Sequence, residues 1–416
     1  MILRRQIVAA LGALVMAGGC ATANDKASVR VQVSGEPEEV AVYRQMADAF
    51  ERATPGADVE IVSAARADHI AKLASSFTAG SPPDVFLVNY REYAQFVARG
   101  GITSIRSTGE TPAADYYPQA LEAFTLDGAL QCLPQNVSSL VVYYNKALFS
   151  AAGIAHPEDW TWAQFVEVAK RLTSSTIDGV AIEPTLVRLA PLVWGDGGEI
   201  VDSAQMPTRL TLGTAGALQA LDDLLELRRL GVTPSRQDVA ALDLPSRFAS
   251  GAAAMLLSSR RETPGLRETR GLEWDVAPLP RRTQPSGILH SDAWCLSRRA
   301  RAKPSAHAAA FVRFAGGVAG QRVTSRGGRV VPSVRTIAEG DFLDPLLAPA
   351  HSRVFVDAIP HLRRLPVLST WPEIEDATDQ TLERLFYDGG DVTDAMADLD
   401  RRTRPLFERG RGTPAP

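Results

Sequence analysis

The chain has 416 residues, of which 45% are hydrophobic and 22% charged, and its formal net charge is −4 at pH 7. This composition is typical of a globular protein with real hydrophobic cores and excludes disordered and fibrous chains. The acidic balance argues against nucleic acid as the main partner, because a nucleic-acid-binding surface needs an excess of Lys and Arg.

The N-terminus has the features of a secretion leader. A charged start precedes an apolar run over residues 7–16, which is too short to span a membrane. Small residues then lead to Cys20, the pattern of a bacterial lipoprotein cleavage site, although Ala17 stands where that pattern usually has Leu. We therefore expect a signal peptide over residues 1–19, a linker over residues 20–27 with a palmitate-type lipid on Cys20, and anchoring to the outer face of the cell membrane. An ordinary secretion signal with a chance cysteine is the alternative.

Strand and helix patterns alternate after the linker. Alternating or continuous apolar residues predict strands over residues 29–33, 58–63 and 84–88. Helical spacing of apolar residues predicts helices over residues 40–54 and 68–78. Apolar strands separated by helices are typical of a parallel sheet covered by helices.

The same alternation continues towards the C-terminus. The further predicted elements are strands over residues 139–144, 255–258, 274–278 and 293–297, and helices over residues 145–153, 161–172, 215–230, 305–315, 371–387 and 393–406. Residues 411–416 should form a frayed tail. We therefore predict an α/β fold with two lobes, each a mostly parallel sheet flanked by helices, and a ligand crevice lined by loops at the ends of the strands.

Two cysteines remain after Cys20, namely Cys132 and Cys295. Outside the cytoplasm an even remainder is consistent with one disulfide, and two buried thiols are the alternative. The six histidines are scattered and no Cys-x-x-Cys pair occurs, so we expect no metal site. The sequence also lacks the nucleophile-elbow, zinc-protease, phosphate-loop and dinucleotide motifs, so we expect neither catalysis nor a cofactor.

Six short motifs occur in a fixed order along the chain. They are AxxFxxxxPG from Ala47, FTAGSPPDVF from Phe77, LP from Leu133 followed by VYYNKALFxxxG from Val142, WTWxxF from Trp160, FASGxAAM from Phe248, and APLP from Ala277. Each motif is weak alone, but together, behind a lipoprotein leader, they resemble the extracellular sugar-binding proteins of ABC importers, the maltose-binding-protein-like family.

The resemblance implies two lobes joined by a hinge that the chain crosses three times and that closes on the ligand. Transferred to this sequence, it places lobe 1 in residues 28–138 and 279–327, and lobe 2 in residues 139–278 and 328–410. It implies capture of a small carbohydrate, an oligosaccharide or amino sugar, for permease subunits in the membrane that a separate ATPase drives. We expect the chain to be a monomer.

A sugar site needs aromatic faces for pyranose rings and charged or amide groups for hydroxyl pairs. Residues of these types follow predicted strands or stand where the family commonly contacts its ligand. The predicted ligand-binding residues are Glu36, Asn89, Tyr90, Asn136, Trp194, Asp196, Arg260, Asp292, Trp294, Arg329 and Trp371. The three tryptophans are predicted to stack on sugar rings.

Several of these residues have structural interpretations, and other ligand classes remain open. A carboxylate at a helix N-terminus explains Glu36, turn chemistry explains Asn136, and ion pairs explain Arg260 and Arg329. A glycerophosphodiester would be bound by the same arginines, and a polyamine by the predicted carboxylates, including Asp292. A secreted glycosidase, which needs only paired carboxylates, is the remote alternative.

Overall fold

The computed structural model describes residues 28–105, 113–298 and 305–411. The predicted leader, Cys20 and the linker lie outside these residues, as does the predicted tail except for Arg411, which belongs to the last helix. No helix in the three described ranges is both long and apolar enough to cross a membrane.

Fourteen strands are present in the described ranges. They are β1 (Ser28–Ser34), β2 (Asp58–Ala64), β3 (Val85–Asn89), β4 (Ile102–Thr103), β5 (Thr125–Leu126), β6 (Ala129–Leu130), β7 (Leu133–Pro134), β8 (Leu140–Asn145), β9 (Asp178–Ala181), β10 (Ala253–Ser259), β11 (Trp274–Ala277), β12 (Gly287–Ile288), β13 (Asp292–Ser297) and β14 (Leu362–Arg363).

Seventeen α-helices accompany them in the same ranges. They are α1 (Pro37–Ala53), α2 (Arg66–Thr78), α3 (Ala94–Ala98), α4 (Pro118–Ala123), α5 (Lys146–Ala151), α6 (Trp162–Leu172), α7 (Leu186–Gly195), α8 (Ala215–Arg229), α9 (Arg236–Ala241), α10 (Leu244–Ala249), α11 (Thr263–Glu268), α12 (Ala306–Gly316), α13 (Val318–Arg326), α14 (Arg335–Ala338), α15 (Arg353–Asp357), α16 (Trp371–Asp388) and α17 (Val392–Arg411).

Two mixed sheets form the centres of the two predicted lobes. The sheet of lobe 1 has the order β2-β1-β3-β13-β4, with β7 added beside β13, and the sheet of lobe 2 has the order β11-β8-β10-β9. In the first sheet β1 runs parallel to β2 and β3, but β13 is antiparallel to β3, β4 and β7. In the second only β9 and β10 are parallel. The expectation of mostly parallel sheets is therefore corrected. Strand β13 joins the sheet of lobe 1 after the chain returns from lobe 2, and it runs antiparallel to β3.

Helices cover both sheets as the apolar pattern predicts. In lobe 1, α1 and α12 pack on sheet 1, where Phe50 of α1 meets Phe311 of α12 with ring centroids 5.3 Å apart. In lobe 2, every residue of β8 and β10 is buried. Burial on both faces explains why the sequences of these strands are mainly apolar without alternation.

Helix α7 is the longest of the helices that are absent from the sequence-based assignment. The sequence predicts a glycine-rich loop around Trp194, but α7 runs through this segment and ends at Gly195, and only the turn that follows is irregular. Nearly all of α7 is buried and it contains Pro191, so it shows no amphipathic stripe that a periodicity argument could detect.

Three chain segments lie side by side where the lobes meet. Asn136 bridges to Pro332, and Ser138 bridges to His290. The lobe boundaries remain predictions. Contacts of the residues just before His290 bear on the position of the second crossing between the lobes. The Leu289 amide donates to a carbonyl of β14, next to α15 and α16, and β12 pairs with β14. We therefore propose that the second crossing lies near His290, later than the predicted boundary at residue 279.

Candidate ligand-binding cleft

A cavity of about 330 Å³ lies between the two sheets at the hinge. It is lined from lobe 1 by α2 and the turn after β3, and from lobe 2 by the turns after β9 and β10 and by α16. The polar side chains on its wall are Ser34, Arg66, His69, Asn89, Arg91, Glu92, Asn136, Ser138, Glu183, Thr185, Arg188, Ser259, Arg261, His290, Asp292, Arg329, Glu375 and Asp379. The wall is therefore polar and charged, with groups from both lobes.

Four predicted residues meet at this cavity: Asn89, Asn136, Asp292 and Arg329. The Asn89 side-chain amide donates to the Asp292 carboxylate at 3.1 Å, and the Asp292 backbone N–H donates to the Asn136 side-chain oxygen at 3.0 Å. Arg329 lies 3.6 Å from the same carboxylate. The end of β3, the first hinge segment and the start of β13 thus hold Asp292 in place.

Arg329 is also bound to Glu39, a residue that the sequence analysis missed. Glu39 is buried on α1 and pairs with Arg329 on one side and with Arg66, at 3.1 Å, on the other. Burial raises the pKa of the Glu39 carboxyl, although both arginines oppose the shift. The pairing supports the structural interpretation of Arg329 as a hinge ion pair.

The three predicted stacking tryptophans do not line the cavity. Trp294 is fully buried in lobe 1 with its ring 5.6 Å from Tyr43 and 5.8 Å from Phe311. Trp194 is buried in α7, and Trp371 is buried at the start of α16, where its Nε1 donates to Glu375 at 3.1 Å. These predictions are corrected, because each ring packs in a core where ligand has no access. Among the described residues the cavity wall contains no Phe, Tyr or Trp.

Two predicted residues on lobe 1 also lie off the cavity wall. Glu36 is exposed at the N-cap of α1, in keeping with its alternative interpretation as a helix-terminal carboxylate. Tyr90 is fully buried, and its hydroxyl accepts a hydrogen bond from the Leu365 amide at 3.1 Å. Burial raises the pKa of Tyr90 to about 12. Tyr90 therefore joins the turn after β3 to lobe 2 instead of contacting ligand.

Two predicted residues on lobe 2 are held by other groups. Asp196 pairs with Arg282 at 2.6 Å, away from the cavity. Arg260 is buried, and its guanidinium lies between the rings of Phe342 and Phe355, 4.6 and 4.9 Å from their centroids. It has no carboxylate partner among the described residues, so burial lowers its pKa to about 9.

Arg260 instead forms a hydrogen bond to the hinge segment. Its Nε donates to the Gly328 carbonyl at 2.6 Å, next to Arg329. The alternative interpretation of Arg260 as a surface ion pair is also corrected, because its side chain is 1% exposed.

An ion pair crosses the cleft between the lobes. Arg91, in the turn after β3, binds the Glu375 carboxylate on α16, and its Nε donates to Asn89 at 3.1 Å. The other Glu375 oxygen accepts from Trp371. Trp371 therefore orients a residue of the cavity wall without touching the cavity.

Several buried polar atoms on the wall have no hydrogen-bond partner among the described residues. They are His69 Nδ1, Ser138 Oγ, Arg188 Nε and His290 Nε2. His69 and Ser138 are 4% and 3% exposed. The His69 Nε2 lies 2.8 Å from the Leu87 carbonyl, which only accepts, so Nε2 carries the proton and Nδ1 is an acceptor. Leaving such groups unpaired is costly, and a bound polar molecule would satisfy them.

Two carboxylates on the wall are perturbed in the same direction. Burial raises the pKa of Glu92, which follows β3, to about 7, with the nearby carboxylates of Asp292 and Glu375 adding to the shift. Burial also raises the pKa of Asp379, on α16, to about 7, and Glu375 again contributes. Neither carboxylate has an ion-pair partner within the described ranges. A positive group placed beside them would favour their charged forms.

Signals for some of these missed residues exist in the sequence. Glu39 stands four residues before Tyr43, on the apolar stripe of α1 that continues through Met46 and Phe50. A carboxylate on a buried stripe indicates a partnered internal charge. The roles of Arg188 and Asp379, by contrast, depend on how α7 and α16 pack, which local sequence does not specify.

The structure joins Cys132 and Cys295 in a disulfide, with Cα atoms 4.5 Å apart. Cys132 directly precedes β7 and Cys295 lies in β13, two strands that pair with each other. Both cysteines are fully buried. No group of three His, Cys, Asp or Glu residues in the described part of the chain is arranged to hold a metal ion.

Comparison with known proteins identifies a family and a fold. A family model for bacterial extracellular solute-binding proteins matches residues 45–348. A putative binding protein of Brucella abortus is 23% identical over 404 residues, covering 94% of this chain and 95% of the relative. The Listeria monocytogenes ABC substrate-binding protein Lmo0181, solved with cycloalternan, has a TM-score of 0.84 at 21% identity and covers 92% of this chain and 99% of its own. UgpB of Mycobacterium tuberculosis, solved with glycerophosphocholine, has a TM-score of 0.80 at 19% identity, covering 91% and 98%.

Proposed function

Because the chain belongs to the family of bacterial extracellular solute-binding proteins, we propose that it is the substrate-binding component of an ABC importer and captures a carbohydrate between its lobes. The observation that carries this proposal is the set of buried, unpartnered polar atoms on the cavity wall, led by His69 Nδ1 and Ser138 Oγ. Sugar hydroxyls both donate and accept hydrogen bonds, so one ligand can satisfy these atoms together. The cycloalternan bound by Lmo0181 supports the carbohydrate class.

The cavity favours a small ligand. Its volume of about 330 Å³ is at the low end of the range for small-molecule sites, roughly 300–1,000 Å³. A monosaccharide or disaccharide matches this volume better than a long oligosaccharide. Because no described residue of the wall is aromatic, affinity must come from hydrogen bonds and charges rather than from ring stacking.

Capture proceeds by closure of the lobes around the hinge. The ligand first contacts one lobe, and the second lobe then adds contacts that exist only in the closed form, so the ligand shifts the population towards closure. The Arg91–Glu375 ion pair and the Tyr90–Leu365 hydrogen bond are protein contacts of this second kind. The closed form is the one delivered to the permease, and a separate ATPase supplies the energy of transport. The chain binds the sugar without transforming it and acts as a monomer.

Cys20 anchors the protein to the outer face of the membrane by a covalent lipid. The small residues before Cys20 and the short apolar run in front of them support this proposal. Replacing Cys20 with Ser should move the chain from the membrane fraction to the soluble extracytoplasmic fraction, because the lipid on Cys20 supplies the attachment. Fractionation followed by immunoblotting measures this. A Cys20→Ser chain that stays with the membrane would contradict lipid anchoring.

A thermal-shift screen of the mature protein tests the ligand class. The panel contains neutral and amino monosaccharides and disaccharides, glycerophosphocholine as the phosphodiester, and putrescine as the polyamine. A ligand at about 100 times its Kd should stabilise the protein by roughly 2.7 kcal/mol. We expect a sugar to give the largest shift and to be recovered unchanged after incubation. A shift with glycerophosphocholine or putrescine alone would replace the carbohydrate with that class, and cleavage of the sugar would restore the glycosidase alternative.

A further inference from the structure

The arginines on the cavity wall are already paired with carboxylates. Arg188 lies 2.6 Å from Glu183, and Arg261 lies 2.7 Å from Glu262 behind the wall. Arg91 is bound to Glu375, and Arg66 is bound to Glu39. Arg329 is bound to both Glu39 and Asp292. No arginine of the wall is therefore left over to hold an anionic ligand, such as a phosphate or a sugar acid, without breaking an existing pair.

Two carboxylates of the wall lack such a partner. The Glu92 side chain makes neither a hydrogen bond nor an ion pair within the described ranges, and the Asp379 carboxylate accepts only the Leu186 amide, at 2.7 Å. The wall has five arginines and five carboxylates, but two of the arginines, Arg66 and Arg261, pair with carboxylates behind the wall. The negative charge that no arginine of the described wall pairs with is located at Glu92 and Asp379.

Independent of the carboxylates, the wall presents a buried acceptor. His69 Nδ1 is unprotonated in the arrangement described above, is buried, and has no donor among the described residues. Burial lowers the pKa of His69, which keeps the ring neutral. The cavity therefore needs hydrogen-bond donors from its ligand as well as positive charge.

We propose that the captured sugar carries a protonated amine and that Glu92 and Asp379 bind this ammonium group from opposite lobes. The inference rests on the proposed function and names its ligand class as an amino sugar of one or two rings. An ammonium group supplies three N–H donors and a positive charge, and it has no acceptor that would compete with the wall. Because Glu92 belongs to lobe 1 and Asp379 to lobe 2, the amine gains its second carboxylate only when the lobes close, which couples recognition to capture.

The test compares matched sugars that differ only in whether an amine replaces the 2-hydroxyl of each ring. Isothermal titration of the mature protein uses D-glucosamine against D-glucose, D-galactosamine against D-galactose, and deacetylated chitobiose against cellobiose, with N-acetyl-D-glucosamine as the neutral amide. For at least one pair the amine should bind about tenfold or more tightly than its neutral partner, as expected for a hydrogen bond to a charged group. The N-acetyl sugar should lose this preference.

Two conservative variants assign the preference to the residues. Glu92→Gln and Asp379→Asn should each weaken amine binding by about tenfold or more, and should weaken binding of the neutral partner by much less, so that the amine preference is lost. Both keep the size of the side chain, and the side-chain oxygen that Asp379→Asn retains would still accept the Leu186 amide. Glu383→Gln, on the exposed face of the same helix α16, is the matched control and should change neither affinity.

The pH dependence gives a second readout. Lowering the pH protonates the carboxyls that titrate near pH 7, but it also charges the sugar amine, which like an α-amino group titrates at roughly pH 8. Amine affinity should therefore pass through a maximum near neutral pH and fall as the pH is lowered further, while neutral-sugar affinity stays level. The charged groups that face the two carboxyls are Arg66, Arg91, Asp292 and Glu375 for Glu92, and Arg91, Arg188 and Glu375 for Asp379. None of these partners is a histidine.

The outcomes separate this inference from the proposed function. Equal or tighter binding of every neutral partner, or an amine preference that survives both variants, would overturn the amino-sugar inference and leave carbohydrate capture standing. Binding of none of these sugars, together with binding of glycerophosphocholine or putrescine, would overturn both.

Discussion

Removal of the Cys132–Cys295 disulfide should lower the free energy of unfolding by about 3–5 kcal/mol. The two cysteines are 163 positions apart, and closing a loop of this length restricts the unfolded chain strongly; the chain-entropy relation gives about 5 kcal/mol, and measured losses are typically about 2–5 kcal/mol. The native backbone should change little, because β7 and β13 remain paired beside the bridge. Denaturant unfolding of Cys132→Ala/Cys295→Ala, compared with the parent chain, measures the difference.

Reduction supplies the matched control for this prediction. A reductant should shift the unfolding midpoint of the parent chain towards that of the double variant and leave the double variant where it is. Equal midpoints for the oxidised and reduced parent chain would contradict the stabilising role of the disulfide. A free-thiol assay on the unfolded, unreduced parent should detect no Cys132 or Cys295 thiol.

Replacing Arg329 with Met should cost about 3 kcal/mol at pH 7.5. Removing one partner of a buried ion pair typically costs about 3–5 kcal/mol, and Arg66 still compensates part of the Glu39 charge, so the lower end of that range applies. Loss of the guanidinium also raises the already elevated pKa of Glu39 further. Thermal and denaturant unfolding of Arg329→Met measure the loss.

The double variant Arg329→Met/Glu39→Gln identifies the cause. Because it removes the buried charge together with its partner, it should recover most of the lost stability. The sign of the pH dependence follows from the raised pKa of Glu39: the protonated carboxyl is favoured in the folded state, so the destabilisation of Arg329→Met should shrink as the pH falls and grow as it rises. A double variant less stable than Arg329→Met, or a loss independent of pH, would contradict the ion-pair account.

Regular, amphipathic elements were accessible from the sequence. Helix α6 begins with a capping box at Thr161 and carries its apolar residues on one face, and the predicted helix differs from it by one residue at the start. Helix α7 was missed because a helix that is buried at nearly every residue has no polar face. Strand direction was also missed, because nothing local to β13 records that the chain has just returned from the other lobe.

The candidate site was predictable where it lies at the ends of strands or in the hinge. Asn89 ends β3, Asp292 begins β13, and Asn136 and Arg329 lie in connecting segments, so position along the chain was enough to select them. The tryptophans were selected by residue type, which does not distinguish a ring that faces ligand from one that packs in a core.

The remaining wall residues lie on surfaces that only tertiary packing brings together. Glu92 and Asp379 lie nearly three hundred positions apart, on different lobes, and each resembles an ordinary surface carboxylate in its local sequence. Only the packing of α16 against the turn after β3, fixed by the Arg91–Glu375 pair, places both on one cavity. Their raised pKa values are a consequence of that burial and have no signature in the local sequence.

The central claim is that a sugar is held between the lobes at the hinge. The most direct measurement is a crystal structure of the mature protein grown with the sugar that gives the largest thermal shift. We expect one sugar in the cavity, within hydrogen-bond distance of His69 Nδ1 and Ser138 Oγ, with contacts to both lobes. A sugar bound elsewhere, or a cleft left empty at a saturating sugar concentration, would contradict the account.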